Sequence, residues 1–271
     1  MIPLKDNLPT RRFPVLTVAL IVANVAIFIW QTQFPTDPEL ARAGLTSGID
    51  QSAVEFGAIP FRITHPGESE CALQATPPES KIVCGVAAGL GSGAPLDQAV
   101  WWLTLLSSMF MHGGILHLAG NMLFLWIFGN NIEDSMGRPR FLVFYLLAGL
   151  IAVYAQALVD PDSTVPTIGA SGAVAGVLGG YALLHPGARV LTLIFLVFFV
   201  TLIEIPAVIL LGIWFVLQFL PAIGQTAITD LAGGDNVAYL AHVGGFVFGL
   251  AAIRLFVAGT RGRVAEPAGP G

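Results

Sequence analysis

The chain has 271 residues, of which 55% are hydrophobic and only 11% charged, and its formal net charge is -5. Soluble domains carry roughly 25% charged residues, so an ordinary soluble fold is excluded, and the arginines sit scattered at the ends of apolar blocks, which excludes a nucleic-acid partner. The apolar residues instead come in blocks near the ~20 residues that cross a bilayer. This predicts an all-α, polytopic membrane helix bundle with six transmembrane helices and the lipid bilayer as its surroundings.

Residues 1–14 carry Lys5, Arg11 and Arg12 and read as a cytoplasmic N-terminus. The first transmembrane helix is expected at 15–33, with Trp30 at the interfacial aromatic belt. It is followed by Gln31-Thr32-Gln33-Phe34-Pro35 rather than a small-x-small cleavage site, so no cleavable targeting peptide is expected. A long outer loop, 34–100, is rich in Pro, Gly and Ser, and its acids outnumber Arg42, Arg62 and Lys81. Such a length is unusual for a connection without elements of its own. Cys71 and Cys84 both fall in this loop; a disulfide and two free thiols are both open there.

Residues 101–257 read as the core. Trp101 to Phe110 form an interfacial piece, separated by Gly113-Gly114 from span 2 at about 114–130. Spans 3 to 6 are expected at about 141–159, 169–184, 206–221 and 237–257, and 258–271 as a disordered cytoplasmic tail. Val190 to Ile203 is apolar, but about 14 residues fall short of the ~17 needed to cross, so an interfacial or re-entrant segment is expected. Pro206 then lies in the first turn of span 5, with Glu204 anchored just before it by the helix dipole. With the N-terminus inside, the inner segments collect Lys5, Arg11, Arg12, Arg138, Arg140, Arg189, Arg254, Arg261 and Arg263, which fits the positive-inside rule.

Asn24, His117, Asn121, Gln156, Ser171, Gln218 and His242 stand out as polar groups within the spans. Ser171 sits in a run of small residues, with Gly169, Gly172 and Gly176 giving one helix face a nearly bare backbone. A serine on such a face commonly bonds only to backbone. Gly245 and Gly249, four apart, offer span 6 a matching face. His117 and Asn121 are at i and i+4 and look into the bundle together. Ser171 and His242 each open a span, and two crossings separate those starts, so both lie toward the same membrane face. A neutral histidine supplies the base that a serine nucleophile needs, and Asn121, His117 and the Ser171 N–H can donate to a developing oxyanion. No acid lies near this depth in spans 4 or 6, so the pattern is a dyad. A His-Glu-x-x-His zinc site is absent, and no metal or cofactor is expected.

With His117-x-x-x-Asn121, Gly169-Ala170-Ser171-Gly172 and Ala241-His242-Val243-Gly244-Gly245 in this order and in separate spans, the sequence resembles the rhomboid family of intramembrane serine proteases over roughly Trp102 to Leu255. The resemblance implies Ser171 as nucleophile, His242 as general base, and Asn121 with His117 around the oxyanion. The implied partners are single-span membrane proteins, cut at or near the outer end of their transmembrane segment. The Trp-Arg pair found in the first loop of many members is missing, since Leu103 follows Trp101-Trp102. A rhomboid-like protein that binds membrane helices without cutting them is the rival, though such relatives are expected to lose the serine or the histidine. Without a targeting peptide, and with spans rich in Ala, Gly and Val, the expected location is the plasma (inner) membrane of a prokaryote, with both termini cytoplasmic and the site opening toward the outer face.

Overall fold

The computed structural model describes residues 1–68, 70–76, 79–85, 94–196, 199–228 and 238–258. Its first strand, β1, is Ile2–Asp6, and α1 is Val15–Thr32. Three short helices follow, α2 (Pro38–Arg42), α3 (Gly48–Phe56) and α4 (Pro60–Thr64), then β2 (Cys71–Thr76), β3 (Glu79–Cys84) and β4 (Ala94–Pro95). The core consists of α5 (Trp101–Ser107), α6 (Ile115–Met136), α7 (Arg138–Val159), α8 (Ser171–Leu184), α9 (Ala207–Ile228) and α10 (Tyr239–Val257). Between α8 and α9 lie β5 (Arg189–Leu196) and β6 (Phe199–Pro206).

Helices α1, α6, α7 and α10 are each long and apolar enough to cross a bilayer, and α8 and part of α9 are shorter apolar helices. A polytopic helical bundle is therefore present, and the six-span count is consistent with it. At ~1.5 Å per residue α8 reaches only about 21 Å, against ~30 Å of hydrocarbon. The non-helical segment Ser163–Ala170 leads directly into Ser171, the first residue of α8.

This non-helical backbone finds its partners in the first loop and in the segment after α5. Phe61 N–H donates to the Ser163 carbonyl (2.9 Å), Ala58 and Thr167 exchange two backbone bonds (3.1 and 2.8 Å), and Gly169 N–H donates to the Ser108 carbonyl (2.8 Å). Residues 34–100 thus hold more structure than a loop. Asp37 caps α2 by accepting from the Glu39 and Leu40 N–H groups, and Ser47 with Asp50 forms a capping box on α3. In the antiparallel β2–β3 pair Cys71 lies opposite Cys84, and the two are joined by a disulfide.

The segment Val190 to Ile203, expected as interfacial or re-entrant, is a strand pair in the structure. It belongs to the β5–β6 hairpin, paired from Arg189↔Pro206 to Leu196↔Phe199. Too short to cross and rich in Val, Ile, Thr and Phe, it satisfies its backbone by strand pairing. The N-terminal segment is drawn into the same sheet, because β1 pairs antiparallel with β5. Two smaller expectations change with it. Glu204 lies on β6 with Oε2 3.6 Å from Arg189 Nη1 across the hairpin, both well exposed, instead of anchoring span 5. Pro206 closes β6, and the helix starts one residue later. The tail from 259 onward lies outside the described residues, as does part of the connection before span 6.

Candidate active site

Helices α8 and α10 pack through their glycines. A Cβ on Gly245 would collide with the Gly172 carbonyl oxygen, and one on Gly249 with the Gly176 carbonyl oxygen. The offset is the same at both contacts, so the helices run parallel and their starts lie side by side. On the other flank of α8, a Cβ at Gly172 would stand 2.5 Å from Ala152 Cβ of α7. Only hydrogen in place of a side chain permits this approach.

That register brings the first residue of α8 against the first turn of α10. His242 Nε2 lies 2.7 Å from Ser171 Oγ, and His242 Nδ1 lies 2.7 Å from Gln218 Oε1 of α9. Trp214 of α9 and Tyr239 border the imidazole, with ring centroids 6.1 and 6.4 Å away. His117 approaches from α6. Gly169, at φ +126°, lies so close to it that an added Cβ would be 2.9 Å from His117 Nε2 and 3.5 Å from Ser171 Oγ. A side chain at 169 would be strained by its dihedral and would also fill the space between these two residues.

Asn121 is buried on the same helix as His117, and among the described residues its Nδ2 has no hydrogen-bond partner. No described side chain caps α8, so its first N–H groups, that of Ser171 among them, have no helical partner. Buried amide donors without acceptors are costly.

The structure thus gathers Ser171, His242 and His117 around Gly169, with Asn121 one helical turn from His117. Gly172, Gly176, Gly245 and Gly249 lie in the helix contact, and Cys71 and Cys84 lie apart in the β2–β3 sheet. Two neighbours were not assigned from sequence. Gln218 stood out only as a polar residue in an apolar span, with nothing to pair it with His242. His112, whose ring meets His117 edge-on at 5.1 Å, donates its backbone N–H to Gln31 Oε1 at 2.9 Å. Among the described residues no group of three or more His, Cys, Asp or Glu is placed to hold a metal ion.

Residues 99–259 match the Rhomboid domain family. Rhomboid protease GluP of Bacillus subtilis is 42% identical over 94 residues, covering 35% of this chain and 18% of the relative. Rhomboid protein 1, mitochondrial, of Saccharomyces cerevisiae is 30% identical over 158 residues, 57% of this chain and 42% of the relative. Presenilin-associated rhomboid-like protein, mitochondrial, of Bos taurus is 36% identical over 97 residues, 35% of this chain and 26% of the relative. The chain spans less than half the length of each.

These relatives overturn the expected prokaryotic plasma membrane. Two of these three relatives are named mitochondrial, so spans rich in small residues do not mark a prokaryotic plasma membrane. The assignment of the termini to the cytoplasm and of the site to the outer face is withdrawn with it. The membrane bundle, the matched domain and its relatives establish that this chain belongs to the rhomboid family.

Proposed function

We propose that this protein is an intramembrane serine endopeptidase that cleaves membrane proteins within or near one end of a transmembrane segment, on the membrane side where α8 and α10 begin. The observation that supports it most directly is the 2.7 Å contact between Ser171 Oγ and His242 Nε2, set by the glycine register of α8 on α10. His242 takes the hydroxyl proton as Ser171 Oγ attacks the scissile carbonyl carbon. The oxyanion of the tetrahedral intermediate accepts hydrogen bonds from Asn121, His117 and the Ser171 N–H. As the intermediate collapses, His242 returns the proton to the leaving amine. Water then attacks the acyl-enzyme by the same route, and Ser171 is regenerated.

Family membership and the GluP match make peptide-bond hydrolysis the reaction this geometry fits. In detergent or liposomes, the protein should cleave a single-span membrane substrate and take up a fluorophosphonate probe at Ser171. Ser171→Ala and His242→Ala should each abolish cleavage. Cleavage at the unsubstituted rate in Ser171→Ala would overturn the mechanism.

A further inference from the structure

We infer that Gln218 is a positioning residue for the His242 base, so that a third side chain, contributed by α9, completes the Ser171–His242 pair. The inference rests on the dyad reading above. A histidine in a dyad must present an unprotonated Nε2 to the serine, which requires the ring proton on Nδ1. Nothing in Ser171 enforces this, because a hydroxyl both donates and accepts.

Gln218 selects it in the orientation the structure holds: its Oε1 lies 2.7 Å from His242 Nδ1, and an amide oxygen only accepts. The Nδ1–H therefore donates to Gln218, Nε2 is left with its lone pair, and the Ser171 hydroxyl donates to it across 2.7 Å. The opposite amide orientation would make Nδ1 an acceptor and place the proton on Nε2, facing the serine, where it blocks general-base action.

Two anchors on different helices, Ser171 on α8 and Gln218 on α9, fix the ring plane as well as the tautomer. A neutral amide suits this depth, where a carboxylate would have to be desolvated. When His242 becomes cationic on taking the serine proton, the Gln218 oxygen remains aimed at Nδ1–H and stabilises the charge through its dipole. Among the described residues, the titratable side chains facing His242 are Ser171 from α8, His117 from α6 and Tyr239 on its own helix. Gln218 is the neighbour from α9 that hydrogen-bonds the ring, and Trp214 from the same helix contributes an aromatic edge.

The test uses the full-length protein in detergent, with a fluorophosphonate probe labelling Ser171 and Ser171→Ala as the unlabelled control. Gln218→Leu keeps the apolar bulk in an apolar span and removes the acceptor. Its labelling rate should fall about 10- to 100-fold, with kcat for a single-span substrate lowered in step and KM unchanged. Gln218→Glu restores an acceptor oxygen at the same reach and should recover most of the rate, with the pH for half-maximal labelling moved upward by the added carboxylate. Labelling of Gln218→Leu at the unsubstituted rate and pH dependence would overturn the inference, as would Gln218→Glu as slow as Gln218→Leu with an unmoved profile. The dyad fails separately: labelling or cleavage that persists in Ser171→Ala refutes the parent reading, whatever the Gln218 variants do.

Discussion

At the scale of single residues, the chemistry rests on groups whose hydrogen-bonding needs the fold leaves open. Asn121 is buried, and among the described residues its Nδ2 has no partner, which leaves it free to donate to a bound species. Asn121→Ala should therefore lower kcat by about 10²- to 10³-fold with a much smaller change in KM, as for loss of one oxyanion donor. Steady-state cleavage of a single-span substrate measures this. An unchanged kcat would leave the oxyanion to His117 and the α8 backbone. His117 and Asn121 were legible as a pair because helical spacing alone puts i and i+4 on one face. Gln218 was not, since its partner lies 24 residues away on another helix and only the packing of α9 on α10 brings them together.

At the scale of elements, the glycines set where the catalytic groups meet. The Gly245 and Gly172 backbones touch, so a larger side chain at 245 has to push α10 off α8 and carry His242 away from Ser171. Gly245→Leu and Gly176→Leu should insert normally and still lose activity. Overpacking of this kind costs about 1–3 kcal/mol in folded cores, and a shift of about 1 Å at the dyad can cost on the order of 10²-fold in rate. Fluorophosphonate labelling of membrane-inserted protein separates insertion from activity, and full labelling in both variants would show the contact to be misassigned. A second element-scale device was invisible in the sequence. Glu133, buried near the end of α6, accepts from the Leu16 and Thr17 N–H groups at 3.1 and 2.8 Å and from Thr17 Oγ1 at 2.8 Å. It satisfies the N-terminus of α1, where Pro14 can offer no side-chain cap.

At the scale of the whole molecule, the N-terminal strand ties the bundle together at the end away from Ser171. Asp6 of β1 is buried, and its Oδ2 accepts from Asn131 Nδ2 and from the Tyr181 hydroxyl, both at 2.6 Å. Burial raises its pKa above the ordinary carboxylate value, and the Tyr181 bond opposes the rise without cancelling it. A carboxyl whose folded pKa is raised adds stability that is complete below its unfolded value and is lost as pH rises through the folded one. Docking of β1 should thus weaken from acid toward neutral pH. Asp6→Asn, which keeps an acceptor and cannot ionise, should flatten that dependence in thermal unfolding followed across pH. Equal slopes in the two proteins would remove Asp6 as the cause.

The sequence by itself determined that this is a membrane bundle, that Ser171 and His242 each open a helix while His117 and Asn121 share another, and that glycines line the helices bearing the serine and the histidine. Those properties are local: hydropathy, helical spacing and the parity of crossings follow from order along the chain. The tertiary structure alone decided the rest. Val190 to Ile203 pairs as a hairpin, and β1 from the start of the chain adds a third strand on its β5 side. The first loop folds against Ser163–Ala170 by supplying partners for its backbone. Gln218 reaches His242, and Glu133 caps α1, through contacts between helices. Spacing along one helix carries no record of which distant side chain will face it, and that is the information packing adds.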